Sequence, residues 1–141
     1  MRDDTTHVVT CFLRRGDLVL VLRRSEAVRT HQGLWAGVSG YVEPGETPLE
    51  TAYKELEEEV SARPEEVRLV RMGEPVTFED EPTGTWWTVH PFLFDDLGVT
   101  VRTDWEHTEH RWIRPGELLG LETVPCLGRT LEAALGVQLF D

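Results

Sequence analysis

Four of the five residues from Glu55 to Glu59 are acidic, with only Leu56 breaking the run. On a helix Glu55, Glu58 and Glu59 stand at i, i+3 and i+4 and share one face, while Glu57 points elsewhere. Each like-charge pair at these spacings costs about 0.2–0.5 kcal/mol, and a last-turn carboxylate also meets the negative end of the helix dipole. Two readings fit. A solvated acidic face is common on an acidic protein, and a compact group of carboxylates suits a hard divalent cation, Mg²⁺ or Mn²⁺, which removes the repulsion.

The elements around the cluster must decide how it is held. Thr47 can cap a helix, Pro48 suits its first position and Glu50 completes a T-x-x-E capping box. Leu49, Ala52, Tyr53, Leu56 and Val60 then recur at helical steps as one apolar stripe beside the acidic face, and Pro64 is expected to stop the helix near Arg63. Upstream, 7–14 and 18–23 read as a hairpin turning at Gly16-Asp17, followed by a loop over 24–35. Downstream, strands are expected over 67–72, 85–94 and 109–113, with EDEPTG at 79–84 as a turn, 115–119 as a short helical turn and helical spacing over 124–135. The sum is an α+β chain with a mostly antiparallel or mixed sheet.

The length of 141 residues fits one domain, 1–141, with its own core. A net charge of −12 disfavours nucleic acid duplexes and anionic membranes. No window reads as a membrane span and the N-terminus lacks signal-peptide order, so a cytoplasmic location is expected. Cys11 and Cys126 have no metal or disulfide spacing and are expected to be buried. Of the 14 basic residues only Lys54 is not Arg.

From Gly40 the order is Gly, five residues, Glu46, seven residues, Lys54-Glu55-Leu56, one residue, Glu58-Glu59. This resembles the Nudix box. The flanking LRRSEAVRTHQGLWAGVSGYVEPGE and EHTEHRWIRPGEL look like that family's approach to the box and its closing strand. Lys54 departs from the usual Arg and Ser61 from the usual Gly; a Lys cannot make the bidentate fork of an Arg. The resemblance implies an α/β/α sandwich with a mixed sheet between helices. It also implies hydrolysis of a nucleoside diphosphate linked to a second group, with a divalent cation as cofactor, a small nucleotide or diphosphate as partner and dimers common.

By position the implied metal ligands are Glu55, Glu58 and Glu59, with the Ser39 carbonyl as a further one. Lys54 stands where the family orients a catalytic glutamate, and Glu46 is expected to brace the loop–helix junction. A late acidic residue is either Glu106 or Glu109, with Glu106 preferred because it falls on the loop. The substrate group is open among ADP-ribose, dinucleoside polyphosphates, oxidised nucleotides and nucleotide sugars.

Three further residues are candidates for substrate binding. Arg23 and Arg24 end a strand within reach of a phosphate. Trp86 and Trp87 alternate, so one is expected in the core and the other free to stack on a base, with Trp86 carried as the candidate. His90 and His107 have no ligand spacing and are unassigned. The alternative to an enzyme is a nucleotide sensor that keeps the fold, suggested by Lys54. An isomerase needs a cysteine in the loop before the helix, and 33–45 contain none.

Overall fold

The computed structural model describes residues 4–140. Ten- and seven-residue strands β1 (Thr6–Arg15) and β2 (Leu18–Arg24) form the expected hairpin through Gly16, whose φ of 60° suits glycine. Two short strands, β3 (Trp35–Ala36) and β4 (Val38–Tyr41), follow the loop and lead into α1 (Pro48–Val60). A 3₁₀ turn, β5 (Val67–Met72), β6 (Val76–Asp80), β7 (Thr85–Asp96) and β8 (His107–Ile113) precede a second 3₁₀ turn and α2 (Leu127–Leu135).

One eight-stranded mixed sheet joins all of these strands. Its centre is the parallel pairing of β1 with β7, running from Thr6 against Trp87 to Arg14 against Asp95. Long β7 pairs β6 along its first half and β5 along its second, while β1 pairs β4 and β2 in succession along its other edge. Alternation along the strands then builds two cores. Val9, Cys11, Leu13, Phe92 and Phe94 face the stripe of Ala52, Leu56 and Val60 on α1. Phe12, Val19, Val21 and Leu93 face Leu127, Leu131 and Ala134 on α2. The α/β/α sandwich is therefore as expected.

Local chemistry explains where α1 begins and ends. The Glu50 amide donates to Thr47 Oγ1 at 3.1 Å and the Thr47 amide to Glu50 Oε1 at 2.9 Å, completing the capping box. Thr47→Ala is expected to lower unfolding free energy by about 0.5–2 kcal/mol in chemical denaturation, because the Glu50 amide loses its acceptor. The C-terminus differs from expectation. The helix ends at Val60, not near Arg63, because Ser61 turns left-handed at φ 63° and the Ser61 and Ala62 amides donate back to Glu57 and Leu56. Pro64 instead opens the 3₁₀ turn.

Other expectations need correcting. Glu79 and Asp80 are the end of β6, so the turn after it is confined to 81–84; the strand pairs with β7 from Val76–Val89 to Asp80–Thr85. Cys11 is fully buried, but Cys126 is only half-buried, at the left-handed residue before α2. No helix among the described residues is long and apolar enough to cross a membrane.

Candidate active site

The acidic face of α1 opens on a cleft of about 350 Å³, a volume suited to a small ligand. The cleft runs from Glu55 and Glu58 past Ser39 and Gly40 onto the α2 side of the sheet, where Val8, Phe78, Trp87 and Val89 form its apolar end. Glu106 and Arg24 also line it, and Arg24 is its one Arg or Lys among the described residues.

Glu59 lies behind the cleft surface, 2% exposed, although it belongs to the acidic face. Its carboxyl shares a hydrogen bond with Glu55 and accepts the Ser39 amide at 3.4 Å. Burial first, then the bond to Glu55 and repulsion from Glu55 and Glu106, hold Glu59 well above the ordinary carboxylate range. Glu55 is also raised, chiefly by burial. Two neighbouring carboxyls in this state resist ionising together, and a bound cation is what lets both do so.

Gly40 makes the close approach possible. A Cβ there would stand 2.6 Å from Glu55 Oε1, so only a residue without a side chain lets the Glu55 carboxyl lie against β4. Glu46 braces the loop below: its carboxylate accepts the Glu43 amide at 3.1 Å, Thr51 Oγ1 at 2.9 Å and Lys54 Nζ at 2.8 Å. Lys54 is thus tied to the loop rather than to Glu50 or Glu58, and this bond is the main reason its ammonium is held above its usual value. Glu57 is exposed and faces away from the cleft.

Glu106 and Glu109 part company in the structure. Glu106 reaches the cleft, its carboxyl raised by burial and then by Asp104, whereas Glu109 lies on β8 beside Arg23 at 3.4 Å and Arg111 at 3.9 Å. Arg23 turns to the Gly33 carbonyl and Glu109, outside the cleft; Arg24 donates to the Thr30 carbonyl at 3.0 Å from within its wall.

The tryptophans correct the sequence reading. Val8, Val89 and Trp87 share a face of the sheet through the register Val8–Val89, so Trp87 lines the cleft and Trp86 lies on the opposite face. Both are half-buried, and neither is in the core. Tyr41 reaches Trp87 with ring centroids 6.0 Å apart.

His107 went unassigned in the sequence, yet it is buried with Nε2 3.6 Å from Glu59 Oε1 and Nδ1 3.2 Å from Asp104 Oδ1. Burial lowers its pKa, so the imidazole behind Glu59 is neutral. No spacing rule could have found it, because Glu59 lies on α1 and His107 on β8, and the two meet only in the tertiary fold.

Among the described residues no three His, Cys, Asp or Glu side chains already converge as a complete metal site. The donor chemistry nevertheless fits a hard cation: hard carboxylate oxygens, those of Glu55 and Glu59 side by side, with room in the cleft for water to complete the shell.

A mixed sheet between helices with a carboxylate-rich cleft at its edge defines the class as an α/β/α sandwich with a small-ligand site. The NUDIX domain profile matches residues 4–133, and the chain belongs to the Nudix family. An RNA pyrophosphohydrolase of Erythrobacter litoralis is 32% identical over 121 residues, which span 74% of this chain and 72% of that protein. An asymmetrical bis(5'-nucleosyl)-tetraphosphatase of Mus musculus is 28% identical over 123 residues, 84% of this chain and 75% of its own length. The crystal structure of a MutT protein from Methanosarcina mazei Go1 superposes with a TM-score of 0.73 at 28% identity, covering 92% of this chain and 91% of that one.

Proposed function

We propose that this chain is a divalent-cation-dependent pyrophosphohydrolase, cleaving the diphosphate of a nucleoside diphosphate joined to a second group. The observation that carries this reading is the Glu55–Glu59 pair, two carboxyls held against each other at the inner end of a cleft large enough for a nucleotide. Curated relatives named for hydrolysis of RNA pyrophosphate and of a dinucleoside tetraphosphate support the bond type.

Glu55, Glu58 and Glu59 would hold Mg²⁺ or Mn²⁺, with the Ser39 carbonyl as a further donor. When bound, the cation neutralises the substrate phosphates and stabilises charge developing on the phosphoryl oxygens. Arg24, which lines the same cleft, binds a phosphate oxygen. Glu106, made more basic by burial, takes the proton of the attacking water in its carboxylate form. Asp104 fixes the His107 ring, which fills the space behind Glu59 and keeps its carboxyl turned to the cleft. Lys54 acts at one remove, holding the box loop through Glu46.

Product chromatography against ADP-ribose, dinucleoside polyphosphates, oxidised nucleotides and nucleotide sugars tests the reading, with Mg²⁺, with Mn²⁺ and with a chelator. The expected result is turnover of at least one compound with cation and none with chelator. Tight binding with no turnover on any of them would replace the enzyme with a sensor.

A further inference from the structure

At the β6 end of the cleft lies a second acidic side chain of a different kind. Asp80 closes β6, its side chain 1% exposed and lining the cleft. One oxygen, Oδ2, accepts His31 Nε2 at 2.9 Å; the other, Oδ1, is the single buried side-chain oxygen or nitrogen among the described residues with no hydrogen-bond partner. An orphaned buried acceptor is rare enough in folded proteins to need a cause.

The surroundings supply one. His31 takes a left-handed φ of 56° in the loop between β2 and β3, a conformation uncommon outside glycine, and its imidazole reaches across to β6 from there. Phe78, two residues before Asp80, shares its face of the sheet and pairs with Trp87, which with Tyr41 offers aromatic surface at the mouth. Phe78 and Asp80 thus present an aromatic ring and a carboxyl group next to each other along one face of β6.

We propose that this end of the cleft is a base-reading subsite in which Asp80, fixed by His31, accepts the Watson–Crick edge of a guanine. The choice among bases follows from donor chemistry. A carboxylate only accepts, so it needs adjacent N–H groups on its partner. Guanine presents two, N1–H and the 2-amino group. Adenine and cytosine each place a bare ring nitrogen beside their amine, and uracil flanks its one N–H with carbonyls, so each of these sets an acceptor against the carboxylate. This deepens the proposed function, on which it rests for the rest of the ligand: the nucleoside diphosphate is a guanine nucleotide, its base at Asp80 and its phosphates toward Glu55.

Neutral nucleosides test the subsite without phosphate or metal, so the outcome is independent of whether the chain hydrolyses anything. Amide chemical-shift titrations of the metal-free protein are run with deoxyguanosine, deoxyinosine, which lacks the 2-amino group, deoxyadenosine and deoxycytidine. Deoxyguanosine is expected to bind roughly 5- to 100-fold more tightly than deoxyinosine, the range for losing part of a bidentate base contact, and to shift the amides of Asp80 and His31. Asp80→Asn keeps the shape and can still accept from His31, but presents an amine where Oδ1 stood; its preference for deoxyguanosine is expected to vanish. Equal affinities for the four nucleosides, a preference for another base, no binding at all, or an unchanged preference in folded Asp80→Asn would each overturn the assignment. Should that variant fail to fold, the wild-type comparison of deoxyguanosine with deoxyinosine decides by itself.

Discussion

Glu59→Gln is expected to cut turnover by roughly 10²- to 10⁴-fold, the range for removing a group that acts directly on the reacting centre. The same change should make the cation-free protein less sensitive to alkaline pH. In the folded chain Glu59 keeps its proton above the ordinary carboxylate range, so through that interval the folded state binds more protons than the unfolded one. The contribution of Glu59 to stability must then fall as pH rises, the reverse of the usual carboxylate case. In chelator, this lowers the melting temperature of the wild type as pH rises above the ordinary carboxylate value, against an opposite contribution from His90 and His107, whose pKa values burial lowers. The drop should be smaller in Glu59→Gln, whose amide stays neutral throughout, and smaller in the wild type once Mg²⁺ is added. Asp95, Asp96 and Glu132 are lowered and titrate with the opposite sign below this interval, so acid melting is a separate effect. Identical pH slopes for the two proteins, or turnover that survives the substitution, would remove Glu59 from the site.

Gly40→Ala is expected to do its damage without unfolding the protein. The new methyl group would meet the Glu55 carboxyl, and the Gly40 backbone itself has no positive φ to strain. Because the far end of a glutamate side chain can swing aside, unfolding free energy should change by no more than about 1 kcal/mol. Displacing that carboxyl by the width of a methyl group misplaces it from the reacting centre, which costs turnover about 10²-fold. Glu55→Asp shortens the obstructing side chain, so the double variant should lose less than the sum of the two single losses. Full additivity would mean that the clash with Glu55 is not the cause, and a protein that melts many degrees lower would place the role of Gly40 in folding.

The features legible in the sequence are those written in neighbouring residues. The cap at Thr47, the stripe through Leu56 and the box from Gly40 to Glu59 are all local, so α1 and its acidic face could be drawn before any tertiary contact was known. The Asp80 end could not. EDEPTG has the composition of a turn, and Glu79 and Asp80 become strand only because the first half of β7 gives them hydrogen-bond partners. His31 and Asp80 lie 49 residues apart and meet through the loop after β2. Trp87 and Trp86 were separated by parity alone, and which parity faces the cleft depends on the β1–β7 register. The end of α1 departs from expectation for a related reason: Pro64 is a visible stop signal, but Ser61, at the box position usually held by Gly, takes the left-handed turn earlier.

The central parallel pairing also constrains how the chain is made. β1 ends at Arg15, but the strand that completes its inner edge begins at Thr85. During vectorial synthesis the hairpin, β4 and α1 all leave the ribosome while that edge of β1, with its apolar residues Val9, Cys11 and Phe12, still lacks a neighbour. An N-terminal half that paired before then would be an open half-sheet whose exposed ladder invites association with other chains, and it could close only after translation has passed residue 96.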